Sequence, residues 1–170
     1  MSPLADESVA QILSRARPDL DADDTHALSR LGEGSPGRAL ALAEAGGLDF
    51  YREMIALLDG LPRLDMKALA ALSERAGRKG AEDTFETVTD LLRWWLARLI
   101  SGRASGRPAE EIVAGEGALA ARLLGSGELD QWLAVWDKTN RLVGRALGAN
   151  LDRKQVVMNA FLALEGAARM

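Results

Sequence analysis

Apolar side chains recur every three to four positions along most of this sequence, which is the spacing of an amphipathic α-helix. In segment 81–101 one apolar stripe consists of Phe85, Val88, Leu92, Trp95, Leu96 and Leu99. Segment 128–147 carries a main stripe of Leu129, Trp132, Leu133, Trp136, Val143 and Leu147, and a narrower one of Val135, Leu142 and Ala146. A helix that is apolar on two sides lies at the centre of a bundle or contacts a partner.

Prolines, glycines and capping residues divide this pattern into separate helices. We predict main helices over 5–17, 23–32, 35–45, 48–59, 65–77, 81–101 and 128–147, and a last one that is capped by Asn150 or Asp152 and ends near 167. The glycine-rich stretch 102–127 has room for one or two short helices, at about 108–113 and 117–124. Helix-forming alanine and leucine are abundant and strand-forming residues are few, so the sequence predicts an all-α fold.

Gly46 and Gly47 separate two parts of different character. The predicted helices before them are short, and three short helices bury little core by themselves. Most of the predicted helices after them are longer. We therefore predict a small three-helix module at 1–46, followed at 47–170 by a bundle of about five main helices with minor ones.

The 170 residues contain one histidine, His26, and no cysteine, and the formal net charge is −4. Disulfides and thiolate metal sites are therefore excluded, and His26 has no second histidine with which to share a metal. A negative chain does not wrap nucleic acid by bulk electrostatics. The sequence also lacks a Gly-rich Lys-Ser/Thr phosphate loop. We expect no metal, no cofactor and no enzymatic activity.

The sequence also bears on localisation. No apolar run approaches the roughly 20 residues that a membrane helix needs. The first residues, Met-Ser-Pro-Leu-Ala-Asp-Glu, lack both the basic region and the apolar core of a signal peptide. The absence of cysteine fits a reducing compartment. We therefore expect a cytoplasmic protein that does not interact with membranes.

The stretch Gly34–Ala45 begins with residues that are typical of a helix N-terminus. Ser35 can accept a backbone N–H as the N-cap, and Pro36 takes the first helical position, where its missing N–H costs nothing. This stretch resembles the lid of AAA+ clamp-loader subunits, in which a Gly-Ser-x-Arg-x-Ala-Leu sequence opens a helix and its arginine reaches the nucleotide phosphates. The residues that match this sequence are Gly34, Ser35, Ala39 and Leu40.

The arginine position of that motif holds Gly37, and Arg38 follows one residue later. A Gly-Ser-Pro-Gly variant is similar to the delta-prime family of bacterial DNA polymerase III clamp-loader subunits, AAA+ relatives that do not hydrolyse ATP. The resemblance implies that Gly34, Ser35, Gly37 and Arg38 form a degenerate sensor-2 region. We expect no firm nucleotide binding there.

The end of the chain carries the second part of the resemblance. The run Asn150–Leu164 follows a long helix that ends with Asn140–Leu147. This order looks like the final helix pair of delta-prime subunits, where an Asn-rich turn precedes the last helix of the collar. The two motifs have about the right separation, and together they extend the resemblance over nearly the whole chain.

The resemblance implies a function in DNA replication. Residues 1–46 would be the lid, and 47–170 would be the collar, the domain through which such subunits assemble with the delta and tau/gamma subunits. That assembly opens the sliding clamp and places it on primed DNA. The ATPase-like domain of these subunits has no counterpart here, so we expect this chain to be their C-terminal part, which binds no small-molecule substrate. The alternative is a helical interaction adaptor unrelated to replication.

The candidates for the subunit interface are Trp94, Trp136, Arg141, Asn150, Arg153 and Lys154. Trp94 and Trp95 are adjacent, so they cannot point the same way, and one ring lies at the edge of the core or at a partner. A broad core face is the other interpretation of this pair. We expect Trp95 and Trp132 to be buried. A basic edge made of Arg98, Arg103 and Arg107 is either a solvated face or a site of phosphate contacts.

Overall fold

The computed structural model describes residues 4–107, 109–149 and 151–170. These residues form α-helices joined by turns, with no strand among them, so the predicted all-α fold is confirmed. The helices are α1 (Asp6–Ala16), α2 (Ala22–Leu31), α3 (Pro36–Glu44), α4 (Gly47–Asp59), α5 (Met66–Gly77), α6 (Glu82–Ser105), α7 (Glu116–Ser126), α8 (Leu129–Gly148) and α9 (Arg153–Ala168).

One predicted element, the short helix at 108–113, is wrong. Pro108 lies outside the described residues; residues 109–111 have no regular structure, 112–113 form a bend and 114–115 a turn. The Glu116 carboxylate accepts the backbone N–H of Ile112 at 2.9 Å and that of Val113 at 3.3 Å. Because a side chain satisfies these two donors, the segment does not need helical hydrogen bonds.

Packing contacts divide the chain into two units, one that ends at Arg52 and one that begins at Glu53. The boundary therefore falls inside α4. The predicted boundary at Gly46–Gly47 lies within the first unit. Gly46 has φ of +69°, and it follows the C-cap of α3 in the left-handed conformation that favours glycine. The glycine pair thus makes the tight connection between α3 and α4, and the division into a lid and a collar stays a prediction.

In the first unit, α1, α2 and α3 all pack against one another. The Asp21 carboxylate caps α2 by accepting the backbone N–H of Asp24 at 2.7 Å. The predicted cap at Ser35 is confirmed, because its hydroxyl accepts the backbone N–H of Arg38 at 3.2 Å. The buried core of these helices includes Val9, Leu13, Leu28, Leu31, Ala39 and Leu42.

The second unit is held together by contacts among its longer helices. Helix α9 packs on α5 and on α8, while α6 packs on α5, α7 and α8. The Glu165 carboxylate of α9 accepts the backbone N–H of Leu64 at 2.8 Å, just before α5. Asp152 caps α9, which decides between the two caps that the sequence left open. Trp95 and Trp132 are both buried, as predicted.

We expect Gly77→Ala to lower the free energy of unfolding by about 1–3 kcal/mol, because overpacking a close contact strains it. A Cβ atom at Gly77 would lie 2.7 Å from Cβ and 2.8 Å from the backbone nitrogen of Lys154, where α5 meets α9. Chemical denaturation measures the change.

Gly144, which is exposed within α8, provides the matched control. A Cβ atom there would meet no described atom within 4 Å, and alanine is the better helix former. Gly144→Ala should therefore raise the free energy of unfolding by up to about 1 kcal/mol. Equal effects at the two glycines would contradict the close approach of α5 and α9.

Candidate interaction surface

Helix α8 buries one face, which takes residues from both of the stripes that the sequence predicted. The buried residues are Trp132, Val135, Thr139, Val143 and Ala146, spaced three or four positions apart. Leu133, Trp136 and Leu147, which were predicted to belong to the main stripe, are instead 41%, 37% and 59% exposed. Both sets have helical spacing, and packing against α6 and α9 decides which of the two is buried.

The three exposed residues form a line along α8, which we call the outer apolar line: Leu133, Trp136 and Leu147. At 1.5 Å per residue it extends about 21 Å along the helix. Asn140 lies within it and donates its side-chain N–H to the carbonyl of Trp136 at 3.0 Å. Leu151, which is also exposed, follows shortly after the end of the helix. Exposed apolar residues that cluster in this way are typical of protein-interaction sites.

Three exposed cations also lie on α8. Lys138, Arg141 and Arg145 are spaced three and four positions apart, so they occupy successive turns on one side of the helix. None of the three forms an ion pair within the described part of the chain. Two of the predicted interface residues, Trp136 and Arg141, are therefore on the same helix, with Trp136 in the outer apolar line and Arg141 among the cations.

The Trp94 side chain, on α6, is partly covered by another residue of the second unit. It is half-buried, and the Arg98 guanidinium carbon lies 4.5 Å from the centroid of its ring. Arg98 also donates to the Glu116 carboxylate at 3.1 Å and to the carbonyl of Glu110 at 2.7 Å. Trp94 therefore lies at the edge of the core, where a cation and a ring stabilise each other.

The same contacts change the interpretation of the predicted basic edge. Arg98 is engaged by Glu116, and Arg103 donates to the carbonyl of Leu124 at 3.1 Å, near the end of α7. Arg107 is exposed. Two of the three guanidinium groups thus hold α6, α7 and the intervening loop together.

The remaining interface candidates lie at the start of α9. Arg153 donates to Glu82 at 2.9 Å, and this hydrogen bond lowers the pKa of the Glu82 carboxyl below its usual value. Lys154 is the residue that Gly77 approaches closely. Asn150 lies outside the described residues. Arg153 and Lys154 therefore contribute to the packing of α9 against α5 and the start of α6.

The predicted sensor-2 region forms the turn into α3. Gly34 has φ of +79°, and its carbonyl accepts the backbone N–H of Leu4 at 3.0 Å. The Arg38 side chain turns back and donates its Nε–H to the carbonyl of Leu31 at 3.0 Å. Gly37 is exposed on the first turn. These residues thus tie α3 to the end of α2.

No protein-family model, curated protein or solved structure matches this chain. In the ranges 4–107, 109–149 and 151–170, no group of three His, Cys, Asp or Glu side chains is placed to hold a metal ion. No helix in these ranges combines the length and the apolarity that crossing a bilayer requires. The exposed apolar residues and cations of α8 make its surface the candidate site.

One feature of this surface was not predicted from the sequence. A groove of about 940 Å³ lies between α8 and α9 and has mostly apolar walls. Apolar residues surround α9 along most of its length. Leu162 and Ala163 are half-buried in the wall of the groove. Apolar residues on every side of α9 are the signal that could have indicated it.

Proposed function

We propose that this chain is a non-hydrolysing subunit of a bacterial clamp loader, similar to delta-prime, and that its second unit assembles with the delta and tau/gamma subunits. The Gly34–Leu40 and Asn140–Leu164 stretches support the clamp-loader part of this proposal by their resemblance to that family. The outer apolar line of α8 is the observation that supports assembly with a protein partner. The indirect partners are the sliding clamp and primed DNA.

The chemistry of the outer apolar line suits a protein partner. Leucine and tryptophan side chains gain free energy when a partner removes them from water. Tryptophan is enriched among the residues that contribute most to binding, particularly where surrounding contacts exclude water. Trp136 lies between Leu133 and Leu147 along α8, so a partner that covers the line would bury all three.

The test is size-exclusion chromatography of this chain mixed with purified tau/gamma and delta subunits. We expect the wild-type chain to co-migrate with tau/gamma, and Leu147→Glu to weaken that association at least about tenfold, because a buried unpaired charge opposes binding. Leu4→Glu is the matched control, since Leu4 is an exposed leucine of the first unit. Circular dichroism confirms that both variants fold.

Failure of the wild-type chain to bind either subunit overturns the clamp-loader proposal. The outer apolar line would serve a helical adaptor unrelated to replication equally well. If Leu147→Glu does not weaken binding, the proposed partners still stand, but the outer apolar line is not the surface that contacts them.

We further expect the chain not to hydrolyse ATP. Its sequence has no phosphate loop, and Gly37 occupies the place of the motif arginine. The neighbouring Arg38 bonds to the carbonyl of Leu31. Phosphate release from ATP, measured on the purified chain, should equal the buffer background. Release that is abolished by Arg38→Ala would contradict this expectation.

A further inference from the structure

The groove between α8 and α9 lies apart from the outer apolar line. Its walls include Val135 and Leu142 from α8, and Leu162 and Ala163 from α9. The α8 wall extends from Asp130 to Leu142, a distance of about 18 Å at 1.5 Å per residue. Three turns of a helix have nearly this length, so the groove suits a helix better than a compact ligand.

The charge along the groove is uneven. Lys138 and Leu142 line both the groove and an adjoining depression, in which they are joined by Arg141 and Arg145. The wall is therefore cationic toward the C-terminal half of α8. The acidic residues on this helix are Asp137, which is exposed beside Lys138, and Asp130 at the start of the groove. A positive cluster of this kind stands out on a chain whose net charge is −4.

We propose that this groove binds an amphipathic helix of a partner protein, with its apolar stripe in the groove and its acidic flank against Lys138, Arg141 and Arg145. The apolar walls supply the free energy of burial. The cations favour a partner helix with negative charge, and their position at one end of the groove fixes the direction in which that helix lies along α8. The inference concerns a surface other than the outer apolar line and does not depend on the clamp-loader proposal.

The apolar character of the walls decides between a protein and a nucleic acid as occupant. A nucleic acid is bound chiefly through its phosphates and needs cations along its path. The groove offers cations at one end, and Val135, Leu162, Ala163 and Ala167 along its length. Leucine-rich faces of helices bury well against such side chains, whereas phosphates do not.

The test uses two fluorescein-labelled helical peptides of about 14 residues, both with one leucine stripe, flanked in one peptide by glutamate and in the other by lysine. Fluorescence anisotropy measures their binding to the full chain. We expect the glutamate peptide to bind at least about tenfold more tightly, and this difference to shrink as added salt screens the exposed charges. The variant with Lys138→Glu and Arg145→Glu should prefer the lysine peptide.

A blocking substitution tests the location. Gly166 lines the groove and is exposed, and a Cβ atom at this position would meet no described atom within 4 Å. The Cβ atom of Gly166→Trp would therefore meet no clash, and its indole ring would occupy part of the groove. We expect it to weaken binding of the glutamate peptide at least about tenfold. Gly125→Trp is the matched control, because Gly125 is an exposed glycine of α7 with similar free space.

Several results would overturn the proposal. They are equal binding of the two peptides, no measurable binding of either, or binding that Gly166→Trp leaves unchanged. Displacement of the glutamate peptide by single-stranded DNA would assign the cations to a nucleic acid instead. Self-association in sedimentation that Gly166→Trp abolishes would assign the groove to a second copy of this chain.

Discussion

Replacement of Trp132 by alanine is expected to lower the free energy of unfolding of the second unit by about 3–5 kcal/mol. The Trp132 side chain is 1% exposed and is among the largest buried side chains in the described ranges. Its removal would leave a cavity that the surrounding helices can fill only in part. Urea denaturation followed by circular dichroism measures the loss.

Trp136→Ala provides the control for this prediction, because the same side chain is removed one helical turn away on the same helix. Trp136 is 37% exposed, so its loss should cost less than about 1 kcal/mol. Trp132→Phe should lower the free energy of unfolding by less than Trp132→Ala does, because an aromatic ring still fills part of the space. It also removes the indole N–H, which has no hydrogen-bond partner among the described residues. Equal losses at the two tryptophans would show that the buried face of α8 is wrongly assigned.

Glu116→Ala is also expected to have a large effect, lowering the free energy of unfolding by about 3–5 kcal/mol. The Glu116 side chain is 7% exposed and pairs with Arg98 at 3.1 Å. It also accepts the two backbone N–H groups of Ile112 and Val113. The substitution would remove one of the two acceptors of the Arg98 guanidinium and the side-chain acceptor of two backbone amides, in a partly buried site.

Glu86→Ala, at an exposed position of α6, is the control and should change the free energy of unfolding by less than about 0.5 kcal/mol. A double-mutant cycle with Arg98→Met and Glu116→Gln measures the interaction energy between the two side chains. Residues that interact directly lower the free energy of unfolding non-additively when both are changed. Additive losses would mean that Glu116 acts through the loop amides alone.

The sequence predicted the helices well because their apolar spacing and their caps are local features. Ser35 with Pro36 marks the start of α3, and Gly46 marks its end. The segment 109–115 could not be predicted in the same way, because its conformation depends on Glu116 and Arg98, which are 18 residues apart. The boundary between the two packing units inside α4 has no local sequence signal, because no proline or glycine marks position 52.

The candidate site was predicted only in part. Trp136 and Arg141 were selected from the sequence, and both are exposed on α8. Trp132 and Trp136 belong to the same predicted stripe of α8, and packing against α6 and α9 decides which of their side chains is buried. The groove was not predicted, because its walls come from two helices and the sequence does not show that these helices pack side by side. Neither Leu142 nor Leu162 identifies it without the other.

The hydrogen bond from Leu64 to Glu165 has a consequence for the order of folding. It joins residues 101 positions apart, and Arg169 reaches the carbonyl of Pro62 across 107 positions. In the first unit, by contrast, Arg52 reaches Asp24 across only 28 positions. Contacts between distant residues form slowly, because a long loop must close first. During synthesis the first unit can therefore fold as it emerges from the ribosome, whereas α5 must wait until α9 has been made.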